Sequence, residues 1–267
     1  MKTFIKIFSF IIAANSVYSN QELFNNLLAD SPKERKAAAN AILSNPENVS
    51  LSDMPFFLDA LDKMGDQDEK KTELLIAVTL ASQNLIYSKD QHAITNAPAE
   101  LKRRFLDTFK HFASSENPRN KEYSYVLIGM YSSNSPAAEE YLNERFLKEA
   151  SNKNKSLVIK GLGYSGIHTK ESAAIIVSSL RADDQAIALE AAEAAARARF
   201  KEALPIVVSN LLSSNPTLQN ISLNSLIRYD YDAKPVIDQI KNVAAQLPQG
   251  SAVRARLETI ISYLLSH

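Results

Sequence analysis

Residues 180–212 read LRADDQAIALEAAEAAARARFKEALPIVVSNLL, and this stretch decides the fold. It predicts two antiparallel helices joined by a short turn. The first helix opens at Asp183 or Asp184, where a carboxylate accepts hydrogen bonds from free backbone N–H groups and faces the positive end of the helix dipole. Ile187, Ala191 and Ala195 recur at i, i+4 and i+8, and Ala188, Ala192 and Ala194 widen the stripe. Side chains this small let a neighbouring helix come close. The second helix carries Leu204, Val207, Val208, Leu211 and Leu212 at helical spacing, with Pro205 near its start, where a missing N–H does no harm. Two short amphipathic helices cannot bury their apolar faces alone, so stacked neighbours must cover them.

Those neighbours are visible on either side. Leu180, Ala191 and Ala195 are matched by Leu147, Val158 and Leu162 upstream, and by Leu211, Ser222 and Leu226 downstream. Leu27, Ala38 and Ile42 match near the start of the chain. The second helices align independently on Ala173, Ala203 and Ala233, with Ile175, Pro205 and Pro235 two residues on. Two sets of markers therefore agree on one period of about 30 residues.

The pattern resembles the HEAT-like repeats in their short form. The carrying residues are the Asp before the helix, the Ala-Ala-x-Ala runs (Ala191, Ala192 and Ala194; Ala38, Ala39 and Ala41), and Leu162-Gly163 at the helix end. The family's Arg near the first-helix start appears as Arg35 and Arg254 and is replaced by Ala188 in the central unit. The resemblance is clear over roughly 120–267 and extends to 27–64. It implies an all-α, right-handed α-solenoid of helix pairs, and no particular chemistry. Tetratricopeptide and ankyrin signatures are absent.

Outward from the repeats, residues 1–19 are expected to be a signal peptide. Lys2 and Lys6 precede a mostly apolar run, Ile7 to Ala14, and Val17-Tyr18-Ser19 offers a cleavage site, with cleavage after Ser16 as the alternative. That run is well short of the ~20 apolar residues needed to span a bilayer, and no other stretch is long enough. Residues 20–267 then form one domain, with 20–114 less regular and 120–267 a regular array. The expected location is periplasmic or secreted. The chain has no Cys, so its stability must come from packing, without disulfides, Cys metal sites or a Cys nucleophile. Its formal net charge is 0, and removal of Lys2 and Lys6 lowers it, which argues against a non-specific nucleic-acid binder. The hydrophobic fraction of 45 % is ample for a continuous core, and the scarcity of Gly argues against a sheet protein.

Helices are expected over 22–29, 33–44, 52–64, 69–86 and 101–113, then 121–132, 137–149, 153–163, 171–180, 218–228, 234–247 and 252–265 around the central unit. Residues 87–97 form the longest connection. The final helix, with Arg254, Arg256 and Glu258, suits a solenoid cap.

Signs of catalysis are weak. His92, His111, His168 and His267 lie in different elements, none at ligand spacing with another. Gly161-Leu162-Gly163-Tyr164-Ser165-Gly166 superficially matches a dinucleotide fingerprint, but it follows a helix, so a helix-closing turn is expected. Glu139-Glu140 and Asp183-Asp184 read as solvated faces and caps, and Lys102-Arg103-Arg104 as a solvated basic face. No cofactor or metal is implied.

The turns inside the repeats attract more attention. Stacking should align Tyr164 to His168, Arg197 to Lys201 and Arg228 to Asp232 in a row. The candidate binding residues are Tyr164, Arg197, Arg199, Lys201, Tyr229, Asp230, Tyr231 and Asp232, because Tyr and Arg are over-represented at protein interfaces. Inter-repeat salt bridging and ordinary helix ends account for the same residues more simply. The expected function is an exported, non-enzymatic scaffold that binds another protein or an extended peptide through a solenoid edge or groove. The alternative is an enzyme or small-ligand binder using residues 69–114, which a pocket lined by His92, His111 and carboxylates would favour.

Overall fold

The computed structural model describes residues 20–44, 49–64, 68–87, 96–131 and 136–266. The expected signal peptide (residues 1–19), His92, His267 and most of the long connection lie outside the described residues. Every regular element among the described residues is helical. The helices are α1 (Asn20–Leu27), α2 (Pro32–Ser44), α3 (Met54–Lys63), α4 (Asp68–Tyr87), α5 (Ala99–Ala113), α6 (Pro118–Tyr131), α7 (Pro136–Lys148), α8 (Asn152–Ser165), α9 (Lys170–Ser179), α10 (Gln185–Arg197), α11 (Leu204–Ser209), α12 (Pro216–Tyr229), α13 (Ile237–Gln246) and α14 (Ala252–Ser266). They stack in two rows. The first row runs α2, α4, α6, α8, α10, α12 and α14, and the second runs α3, α5, α7, α9, α11 and α13, with α1 packed on α2. This is the α-solenoid of helix pairs that the repeats predicted.

Local chemistry sets the helix starts. Ser151, Thr169, Asp184 and Asn215 each cap a helix by accepting backbone N–H bonds, so Asp184 and not Asp183 opens α10. Arg35 is buried and donates to the carbonyls of Ala29 and Asp30 while pairing with Glu73 on α4. Arg254 repeats the device on α14, reaching Leu247 O and Glu258. Arg35 and Arg254 thus tie α2 and α14 to the turns before them.

The middle of the first row is held together by its small residues. Ile187, Ala191, Ala192, Ala194 and Ala195 are all buried, as the stripe required. Gly161 and Gly163 lie inside α8, so the expectation that they close the helix is corrected. Gly166, at φ 99°, does that. A Cβ on Gly161 would sit 2.5 Å from Tyr125 O, one on Gly163 would sit 2.6 Å from Ala194 Cα, and one on Gly129 would collide with Gly161 O. These contacts are with backbone, which cannot yield, so α6, α8 and α10 meet with no room for a side chain at these positions.

One repeat marker, Leu147, and one stripe residue, Leu212, fail. Leu147 points to solvent, 78 % exposed. The end of α7 is closed instead by buried Glu149, which accepts from Tyr125 Oη (2.8 Å), Arg145 (2.8 Å) and Asn154 (2.8 Å). Leu212 is exposed because α11 is α-helical only to Ser209, and the tighter 3-10 turn Asn210–Leu212 moves it off the stripe. The predicted helix 234–247 likewise starts later, at Ile237, after the 3-10 segment Asp230–Val236 that holds Pro235.

Candidate functional site

The three turns do form a row, and the structure shows what they do there. Each carries one non-glycine residue at positive φ: Ile167 (57°), Arg199 (50°) and Asp230 (52°). In the central turn Phe200 N–H reaches back to Ala195 O (2.9 Å), the bond that closes a helix on a left-handed residue. Side chains then latch each turn to the next. The Arg197 guanidinium lies 4.3 Å from the centroid of the Tyr164 ring. Lys201 and Arg199 reach Asp232 at 2.9 and 3.8 Å. Tyr229 Oη donates to Phe200 O (2.7 Å), and Tyr231 stacks on Tyr263 of α14.

Tyr229 is 0 % exposed, which corrects its place among the candidate binding residues. It completes the core between α10 and α12, and burial raises the pKa of its phenol. Arg197 is mostly covered as well. Of the candidate binding residues, Arg199, Lys201 and Tyr231 face outward. Glu139, expected on a solvated face, is buried. It accepts the N–H groups of His168 and Thr169 (2.9 Å each) and Ser172 Oγ (2.8 Å), which fixes the entry to α9.

A different surface is concave. The first-row helices run side by side, and near their N-terminal ends they line an open groove of about 920 Å³. Arg35, Lys36, Ala39 and Asn40 come from α2. Glu69, Thr72, Glu73 and Ile76 come from α4. The start of α6 adds Arg119 with Asn117 and Pro118 before it, and α8 adds Lys153. Arg35 and Glu73 neutralise each other. Lys36, Arg119 and Lys153 have no carboxylate within ion-pair distance among the described residues. Below the wall, Asn117 donates to Thr72 Oγ1 (3.3 Å) and Thr72 donates to Asn120 Oδ1 (2.6 Å). Asn120 is 1 % exposed, and its Nδ2 has no hydrogen-bond partner.

Beyond the groove the same face becomes a chain of alternating charge. Lys160 on α8 donates to Glu122 on α6 (2.7 Å). Burial opposes the Lys160 charge, but Glu122 outweighs it and raises the pKa. Glu190 on α10 is next. Burial raises its pKa against the pull of Lys160 and Arg197, and its Oε1 has no hydrogen-bond partner. None of these residues was singled out by the sequence. Their charges look like ordinary solvated decoration until stacking places them side by side.

The irregular region holds a second concavity, of about 640 Å³, between α3, α4 and α5. His111 lines it with Asp62, Glu100 and Asp107. Its basic run is consumed locally. Arg103 pairs with Glu100 (2.7 Å) and lies 3.9 Å from Asp107, and Arg104 pairs with Asp59 and Asp62. The hydrogen bond from Arg103 lowers the Glu100 pKa. Among the described residues no group of three or more His, Asp or Glu is placed to hold a metal, and no helix is long and apolar enough to cross a membrane.

No protein-family model matches the chain, and no curated protein sequence does. Solved structures match in fold. One chain of the complex of CpcE and CpcF of phycocyanin lyase from Nostoc sp. PCC7120 is similar at a TM-score of 0.55 and 13 % identity, covering 96 % of this chain and 98 % of that one. Human deoxyhypusine hydroxylase in complex with glycerol matches at a TM-score of 0.38 and 14 % identity, over 93 % and 98 % of the two chains. The Nostoc complex is a lyase by name, so it does not support the expectation of a non-enzymatic protein. At these identities the likeness speaks to architecture alone, and the architecture is that of the HEAT-like α-solenoids.

Proposed function

We propose that this chain is an exported scaffold, without chemistry of its own, that holds an extended segment of another protein against the concave face of its first-row helices. One observation carries the reading: four successive first-row helices contribute to a single open groove, and three of its cations have no partner in the described chain. A solenoid presents such extended concave surfaces as a consequence of its stacking. The similar Nostoc structure is a complex of two named proteins, in keeping with a protein partner. Export rests on residues 1–19, and intact-mass measurement on exported material is expected to show a chain beginning near Asn20.

The test is site-specific photo-crosslinking. A crosslinker at Ile76, half-buried in the groove, is expected to capture one protein, through a contiguous segment identified by mass spectrometry. A crosslinker at the exposed turn residue Arg181 is expected to capture none. Capture from both positions alike, or from neither, overturns the reading. The rival reading, a small-ligand or catalytic site, is favoured by the pocket that His111 shares with three carboxylates. Those carboxylates lie within ion-pair distance of Arg103 and Arg104, which suits a structural network better than proton transfer.

A further inference from the structure

We infer that the groove at the N-terminal ends of α2, α4, α6 and α8 is a site for an acidic, extended peptide segment, about ten residues long. This rests on the scaffold reading and narrows it to one class of partner.

Three features of the groove agree. Lys36, Arg119 and Lys153 face it from three different helices, and Glu69 is the one lining carboxylate not already neutralised by an arginine. The three cations lie on a chain whose net charge is 0, so the excess is local. The N-terminal ends of four first-row helices converge there, and each adds partial positive charge. Cations and dipoles both call for acceptor oxygens. The remaining surface from Ala39, Ile76 and Pro118 is apolar and suits the carbon atoms of a peptide between its carboxylates.

The length follows from geometry. From α2 to α8 is three helix-to-helix steps of about 9–10 Å, and about ten residues of extended chain cover that distance. The second concavity makes the contrast. It too contains Arg and Lys, but its arginines are paired with Asp59, Asp62, Glu100 and Asp107. A nucleic acid fits less well. Past the groove the same face pairs Lys160 with Glu122 and then presents Glu190, so it offers no further unpaired cations to a continuous polyanion, whereas the groove itself has room for a short acidic segment.

The experiment is fluorescence anisotropy on the mature chain. The probe is a labelled peptide of about ten residues alternating Glu and Ala. Its Gln counterpart, oligothymidine of similar length, and inorganic phosphate as competitor serve as comparisons. The acidic peptide is expected to bind at low salt, to weaken as salt is added, and to outlast a phosphate excess, while the Gln peptide does not bind. Lys36→Glu with Lys153→Glu is expected to cost about tenfold or more in affinity. Lys102→Glu with Arg103→Glu, an equal charge change in the other concavity, is expected to cost less than about twofold. If the first pair unfolds, as judged by helical circular dichroism, Lys36→Gln with Lys153→Gln replaces it and is expected to weaken binding in the same direction.

The inference is overturned by no binding of the acidic peptide up to ~1 mM, by equal losses from the two variant pairs, or by oligothymidine or phosphate binding as tightly as the peptide. Crosslinks from Ile76 to a partner segment that lacks Asp and Glu would sink this inference and leave the scaffold reading standing. Loss of both the crosslinks and the peptide binding would sink both.

Discussion

The two halves of this solenoid are built on different cores. From α6 to α10 the first row meets through Gly129, Gly161, Gly163 and Ala194, with backbone against backbone. From α1 to α5 the core is aromatic. Phe24 stacks on Phe56 with centroids 5.0 Å apart and meets Phe57 edge-on at 5.3 Å, and Phe105 stacks on Phe109 at 5.5 Å. Small residues draw helices together, and their turns then meet and latch. The wide groove with unpaired cations spans the two halves, from α2 and α4 to α6 and α8. The turns of the regular half spend their charge on their own repeats, whereas the helix starts leave Lys36, Arg119 and Lys153 facing that groove.

The comparison can be broken most severely at Ala191. It is fully buried between close helices, so Ala191→Asp places an unpaired carboxylate where nothing can solvate it. The expected loss is about 3–5 kcal/mol, read by denaturant unfolding. Gly161→Ala comes next, at about 2–3 kcal/mol, because the new methyl meets the Tyr125 carbonyl. Phe56→Leu in the aromatic half is its counterpart and is expected to cost less, since Phe56 is only half-buried. Equal costs at the two sites would erase the distinction between the cores.

Tyr229→Phe removes one hydroxyl and leaves Phe200 O without that donor. About 1 kcal/mol is expected. No change would mean that the turns are neighbours without being latched. Arg199→Gly is expected to stabilise, by about 0.5–1 kcal/mol, because glycine adopts positive φ freely and the exposed pair with Asp232 at 3.8 Å is weak. A lower melting temperature would show that the pair matters more than the backbone.

The smallest effect is at Glu190. Burial raises its folded pKa above the ordinary value of 4.5, so its ionised form counts against folding near neutrality. Relief comes as pH falls through the raised folded value, and below the unfolded value both states are protonated. Glu190→Gln supplies that relief at every pH. The melting temperature is expected to rise by about 1–2 °C near pH 7, with the gain vanishing below about pH 4. A fall near pH 7 would mean that attraction from Lys160 and Arg197 outweighs burial.

The sequence by itself determined the helices, their pairing and the period. Apolar spacing and small-residue runs are local patterns, and a stripe such as Ile187, Ala191 and Ala195 has to be covered whatever covers it. It also placed the three turns in one row, since Ala173, Ala203 and Ala233 keep a common phase. It did not determine which of those turn residues face water. Tyr229 and Arg197 read as surface anchors, yet both turn into their neighbours, because a residue at a helix end can point either way and only the adjacent repeat decides. Nor did it reveal the groove. Lys36, Arg119 and Lys153 are far apart in sequence, and each looks like a solvated charge on its own helix. Only the tertiary structure brings them to one concavity and shows which charges the neighbouring repeats leave unpaired, because pairing depends on the distance between helices, and the sizes of the buried side chains across a whole interface set that distance.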